Sequence, residues 1–200
     1  MNLLWYKITD LRLRDHEALK KAFSKKSEVL LVFCLDPLFF QEIKSSSAIN
    51  QIKFDKFKEK FLYQSLIDLY DKIKENDGHL NIYLDSPENV IPELVKKYDI
   101  KGIYHLQDTT SEEINQLEEI KKKLPEETKI KSYWGNTLYH IDDLPYNVEK
   151  IPNVFSFFRK SLNFVKLREE VNLSLKKLNK CVNDTDNINV IKEKNSQLEC

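Results

Sequence analysis

Four charged residues follow the first apolar run in quick succession: Asp10, Arg12, Arg14 and Asp15. Such a set could grip a phosphate or a neighbouring domain, and it equally suits a solvated turn closed by ion pairs. A second group, Glu112 and Glu113, lies three residues after Thr109 and Thr110. Either Thr-x-x-Glu register can open a helix with a capping box, and acids in a first turn also favour the helix dipole on their own account. The four histidines, His16, His79, His105 and His140, show no metal-ligand spacing. Cys34 sits in an apolar run and Cys181 and Cys200 in a polar tail, which matches neither a disulfide framework nor a zinc site. No order of elements brings a Ser/His/Asp or Cys/His set together, so a hydrolase would lack its nucleophile. Trp5 and Trp134 could carry electrons or simply pack.

Composition narrows the classes further. Lys+Arg and Asp+Glu are equal at 32 each, so no overall field draws the chain to nucleic acid, and any DNA contact is local or indirect. Three glycines leave no phosphate-gripping glycine-rich loop. The opening MNLLWYKITD is too short an apolar run for a signal peptide, and no long apolar span follows. A soluble, intracellular protein without a membrane role is the expectation. The Asn183-Asp184-Thr185 pattern is then an incidental glycosylation match.

The elements that must position these groups alternate short apolar runs with helical patterns, the signature of a parallel sheet with helical crossovers. Strands are expected at Leu3 to Tyr6, Val29 to Leu35, Leu80 to Leu84, Gly102 to Leu106 and Lys129 to Trp134. VLLVFCL reads as a strand covered on both faces. Phe54, Phe57, Phe61, Leu62, Leu66, Leu69, Tyr70 and Ile73 recur at helical spacing and form one stripe. Ser86-Pro87 reads as an N-cap with proline at the first helical position, although Pro92 argues for a break after the first turn. The predicted fold is a three-layer α/β/α sandwich on a five-stranded, Rossmann-like parallel sheet, with ligands beyond the carboxyl ends of the strands. Phe39-Phe40 reads as an interface patch or a lid on the core, and Ser45-Ser46-Ser47 as a flexible loop. From Val154 to Val165, and again from Val171 to Val182, apolar residues keep helical spacing, which predicts a long C-terminal helix. After Asn183 large apolar residues thin out, the composition of a disordered tail or linker. The expected division is a domain over 1–160, a helical extension over 161–182 and a tail over 183–200.

Several segments together resemble the N-terminal α/β domain of the photolyase/cryptochrome family, in particular its cryptochrome DASH branch. LLWYKITDLRLRDHEAL resembles the family's opening strand and the pattern after it through Trp5, Tyr6, Lys7, Asp10, Leu11, Arg12, Asp15, Ala18 and Leu19. VFCLDP and KFLYQSLIDL resemble the next strand and helix. YWGNTLYHIDDLPY followed by VFSFFRK is the most DASH-like part. Lys7 stands where an arginine is usual, and Gln107-Asp108 replaces a usual basic-acidic pair.

This resemblance implies an antenna site for a folate, 5,10-methenyltetrahydrofolate, or a deazaflavin, which passes excitation to FAD on a second, all-helical domain. It implies an acidic folate ligand on the loop after the fourth strand, where Glu112 and Glu113 are both candidates by position. Nothing in residues 161–200 resembles the helical domain, so FAD is not expected on this chain alone and neither is light-driven pyrimidine-dimer repair. The implied partner is a FAD-binding helical domain or partner protein, with DNA met only indirectly. The alternative from another class is a stand-alone interaction or nucleotide-binding module without a light role.

Overall fold

The computed structural model describes residues 1–24, 27–43, 51–52 and 54–198. The expectations for Ser45 to Ser47 and for Cys200 lie outside the described residues. Five strands form one parallel sheet: β1 (Asn2–Tyr6), β2 (Val29–Cys34), β5 (Leu80–Tyr83), β6 (Gly102–Leu106) and β7 (Lys129–Tyr133), in the order β5-β2-β1-β6-β7. A two-residue antiparallel pair, β3 (Glu42–Ile43) with β4 (Gln51–Ile52), stands apart from it.

Alternation along the strands splits the core in two. Leu4, Tyr6, Leu31 and Phe33 face α1 (Glu17–Ala22) and α2 (Lys56–Lys74). Leu3, Trp5, Leu30 and Val32 face α3 (Pro87–Tyr98) and α4 (Ser111–Lys123). The expected stripe on α2 holds for Leu62, Leu66, Leu69, Tyr70 and Ile73, which are buried, whereas Phe57 and Phe61 remain exposed. Asp77 ends that turn region with φ 57°, and at Gly78 a Cβ would lie 2.7 Å from Ile73 Cγ2. Only glycine permits so close an approach. Pro92 does not divide α3, which runs unbroken around it.

The C-terminal quarter departs from expectation. A short α5 (Phe155–Ser161) forms, but residues 162–174 carry no helix, and Leu175–Lys180 is a 3-10 turn. The predicted helical extension over 161–182 is therefore a strap. Its Val171 N–H donates to Asp15 and its carbonyl accepts from His16 N–H. Cys181 bridges to Val29 at the start of β2. Long-range bonds to the sheet and loops win here over a weak helical periodicity. Residues 183–198, expected as a disordered tail or linker, carry α6 (Ile188–Gln197), and Leu173, Leu178, Ile188 and Ile191 are buried in the core on the α2 side.

Polar residues anchor this strap, which is why composition misleads there. Asn81, fully buried on β5, donates to Val182 O and accepts from the N–H groups of Asp184 and Thr185. Asp184 accepts from Tyr83, Tyr98 and Lys97. Burial alone would raise its pKa, but the bonds from Lys97, Tyr83 and Tyr98 outweigh burial and hold it below the usual aspartate range. Asn187 donates to Ile82 O.

Candidate functional site

The chain runs outward from β1 through β2 to β5, then returns through α3 to β6 on the other side of β1. That reversal opens a crevice beyond the carboxyl ends of β1 and β6, where open α/β sheets bind ligands. Lys7, just after β1, and Asp108, just after β6, meet across it in an ion pair whose side chains are only 9% and 11% exposed. Lys7 also lies over the Trp5 ring, 4.3 Å from its centroid.

Beside this bridge is a cavity of about 60 Å³. Ligand pockets usually span roughly 300–1,000 Å³, so this one admits the edge of a ring and no more. Its walls include Trp5, Asp36, Phe39, Asp108 and both predicted acids, Glu112 and Glu113. The helix carrying them starts at Ser111 with Thr110 at the N-cap, yet the Thr110 side chain makes no cap hydrogen bond. Glu112 is exposed. Glu113 differs: its Oε2 is closed off from solvent and has no hydrogen-bond partner among the described residues. Asp36 is held by Leu38 N–H and Gln116, and Gln116 also donates to Glu88. Sequence reading identified Glu112 and Glu113 but missed Lys7 with Asp108, which are 101 residues apart. Their common position, one or two residues past adjacent strands, is the signal that could have found them.

The Asp10 to Asp15 set serves the chain itself. Asp10 is buried, accepts from Lys7 N–H and faces His16 Nε2 at 3.4 Å. Arg12 donates to Gly135 O, and Arg14 forms a two-pronged pair with Glu170 on the strap. Both arginines thus tie the first loop to later segments. Trp5 is buried against His105, with ring centroids 5.7 Å apart. Phe39 stacks on Phe54 at 5.0 Å and Phe40 meets the same ring edge-on, which makes the pair a lid on the core.

One Ser/His contact does form, between neighbouring strands. His105 Nδ1 donates to Leu106 O, which leaves Nε2 to accept from Ser132 at 2.8 Å. Burial, aided by Lys7, pushes the His105 pKa down to about 4. So weak a base does not take a serine proton at neutral pH, and the pair is a cross-strand tie. The shift has a measurable consequence. The unfolded chain binds a proton at His105 near pH 6.5 and the folded chain near pH 4, so stability should fall as pH drops through that window. The full loss is about 3 kcal/mol. Urea midpoints between pH 7 and pH 4 should show this slope, and His105→Gln should flatten it; an unchanged slope would remove His105 as its source.

A second feature lies along the same sheet edge. After β7 the exit segment and α5 wall an apolar groove of about 810 Å³, lined by Trp134, Leu138, Ile151, Phe155, Phe158 and their neighbours. Phe155 is 71% exposed and Phe164 96% exposed. The crevice and the groove adjoin, since Thr9 at the crevice accepts from Asn136 of the exit segment.

The family model described as DNA photolyase matches residues 2–173. The chain belongs to the DNA photolyase family. It is 35% identical over 161 residues to a cryptochrome DASH of Gloeobacter violaceus, covering 80% of this chain and 31% of that protein. Against the chloroplastic/mitochondrial cryptochrome DASH of Arabidopsis thaliana it is 33% identical, covering 81% of this chain and 28% of that one. The fold superposes on the Synechocystis cryptochrome crystal structure with a TM-score of 0.76 at 30% identity, over 84% of this chain and 34% of that chain. A photolyase from Sulfolobus tokodaii, described with two FAD molecules and a novel light-harvesting cofactor, aligns with a TM-score of 0.68 at 26% identity. The chain thus spans 28–34% of the first three relatives' lengths. The five-stranded parallel sheet and the DASH likeness expected from the sequence both stand. Among the described residues no helix is long and apolar enough to cross a membrane.

Proposed function

We propose that this photolyase-family domain seats a folate-type antenna, 5,10-methenyltetrahydrofolate, at the crevice beyond β1 and β6, and docks through its exit groove against a FAD-binding helical domain. The observation that carries this reading is the adjacency on one sheet edge of an acid-lined crevice and an uncovered apolar groove. Exposed aromatic side chains such as Phe155, 71% exposed at this groove, are of the kind enriched where a partner docks. A DNA lesion would be reached only through that partner.

The residues fit a pterin ring. Its amino and ring N–H groups are donors, and Glu113 presents an enclosed oxygen without one. When bound, the folate supplies light absorption; this chain's residues orient its edge and limit its depth. Hydrogen bonds to a charged group contribute about 1.5–3 kcal/mol, so Glu113→Gln should weaken folate binding roughly 10- to 100-fold. Glu112→Gln should matter less, because that side chain is exposed. Fluorescence titration of the purified chain tests this. Saturable binding unaffected by either substitution would place the folate elsewhere, and the absence of binding would defeat the antenna reading.

A further inference from the structure

Phe57 and Phe61, on the first turns of α2, are 74% and 71% exposed, although their spacing continues the stripe that buries Leu62, Leu66 and Leu69. Neither lines the crevice cavity or the exit groove. From this pair we propose that the start of α2 is a peripheral membrane-contact surface, which seats its two rings among the headgroups of an anionic lipid bilayer. Such a contact needs no helix that crosses the membrane, and it is independent of the antenna reading.

Helical geometry sets the arrangement. At about 100° per residue, Phe57 and Phe61 stand one turn apart and about 40° apart around the axis, so they form one ridge. Lys58 and Lys60 fall about 80° to either side of it. Lys56 holds its ammonium 5.6 Å from the Phe57 ring centroid, and Lys58 lies over Phe54 at 4.1 Å. Among the described residues none of these lysines enters an ion pair. The neighbouring carboxylates are engaged elsewhere: Glu59, on the opposite side of the helix, accepts from Tyr63 OH, and Asp55 accepts from Lys58 N–H at the cap. Gln64, exposed and neutral, extends the row. The ridge is firmly seated, because Leu62, Tyr63 and Leu66 beside it are buried in the core. Its charge is a local feature, since the chain as a whole balances 32 basic against 32 acidic residues.

Charge and shape together choose the occupant. Aromatic rings standing out between ammonium groups suit a surface that is anionic and yields around a protrusion, as a headgroup layer does. Each lysine near such a surface contributes about fivefold in affinity. A second copy laid face to face would set lysines against lysines. Single-stranded nucleic acid is held in a charged groove that tracks its backbone, and a ridge on one helix does not supply that groove.

The test is co-sedimentation of the 200-residue chain with vesicles of phosphatidylcholine alone and of equal parts phosphatidylcholine and phosphatidylserine. The expected result is roughly tenfold or more tighter binding to the mixed vesicles, weakened by added salt. Phe57→Ser and Phe61→Ser together should weaken that binding about tenfold. Lys58→Glu with Lys60→Glu should remove the preference for phosphatidylserine. Thermal unfolding of each double variant should match that of the parent chain, because Phe57, Phe61 and Lys58 are exposed and Lys60 is only half-buried. Equal binding to the two vesicle types, or no binding to the mixed vesicles, overturns the proposal. So does tighter binding of a single-stranded oligonucleotide than of the mixed vesicles. Vesicle binding that survives the two Phe→Ser changes but is lost in Phe155→Asp would place the contact on the exit groove, and that too overturns it.

Discussion

Removing residues 161–200 is expected to destroy the cooperative fold. Four side chains of the strap and α6, Leu173, Leu178, Ile188 and Ile191, are buried in the core beside α2. Full burial of such side chains contributes about 1.5–3 kcal/mol each, together roughly 6–12 kcal/mol. The net stability of a domain is only about 5–15 kcal/mol. The shortened chain also uncovers Asn81 and the start of β2, where Val29 O accepts from Val182 N–H. A chain ending at Lys160 should therefore aggregate, or unfold without a sharp thermal transition, while the 200-residue chain melts cooperatively. A shortened chain with an unchanged melting curve would mean that the strap merely rests on a domain complete without it.

The second large effect centres on one buried amide. Asn81 uses its full hydrogen-bonding capacity: its NH2 donates to Leu31 O and Val182 O, and its oxygen accepts from Asp184 and Thr185 N–H. Asn81→Leu keeps the bulk but strands two carbonyls and two N–H groups around a fully buried side chain. Each stranded group costs about 1–3 kcal/mol, so a loss of roughly 4 kcal/mol or more is expected. Asn183→Leu, an exposed neighbour on the strap, should change stability by less than about 0.5 kcal/mol. Urea midpoints of the two variants measured together decide the matter, and equal midpoints would show that the amide does not clamp the strap. Asp184 adds an acid limb to the same clamp. Its depressed pKa means that its share of stability is present above the ordinary aspartate range and is lost as pH falls below that range.

The sheet is legible in the sequence because local and global preferences agree there. VLLVFC is apolar and β-branched, and the structure buries it on both faces between β1 and β5. The helix of α4 is legible from its threonines and acids, although Thr110 occupies the cap without bonding through its side chain. The strap is not legible, for a physical reason. Val171, Leu175, Leu178 and Val182 keep helical spacing, but the bonds that decide their path come from Asp15, Val29 and Asn81, more than a hundred residues away. Residues such as Asp184 and Asn187, whose polarity suggests a disordered tail, are the ones that grip β5 and its neighbours. At the site, position after β6 singles out Glu112 and Glu113 without deciding between them, whereas the Lys7–Asp108 bridge depends on which strands become neighbours. Strand order is a property of the whole chain, and no local pattern encodes it.

The central claim is that one sheet edge holds an antenna and delivers its excitation to a docked flavin domain. Excitation transfer in a reconstituted pair measures this directly. The chain loaded with 5,10-methenyltetrahydrofolate is mixed with the FAD-binding helical domain of a cryptochrome DASH, and flavin reduction is followed as the exciting wavelength is scanned. The account predicts association and an action spectrum that carries the folate band, lost in Glu113→Gln for want of bound folate and in Phe155→Asp for want of docking. An associated pair that holds folate but responds only at the flavin's own bands, or a failure to associate at all, would contradict it.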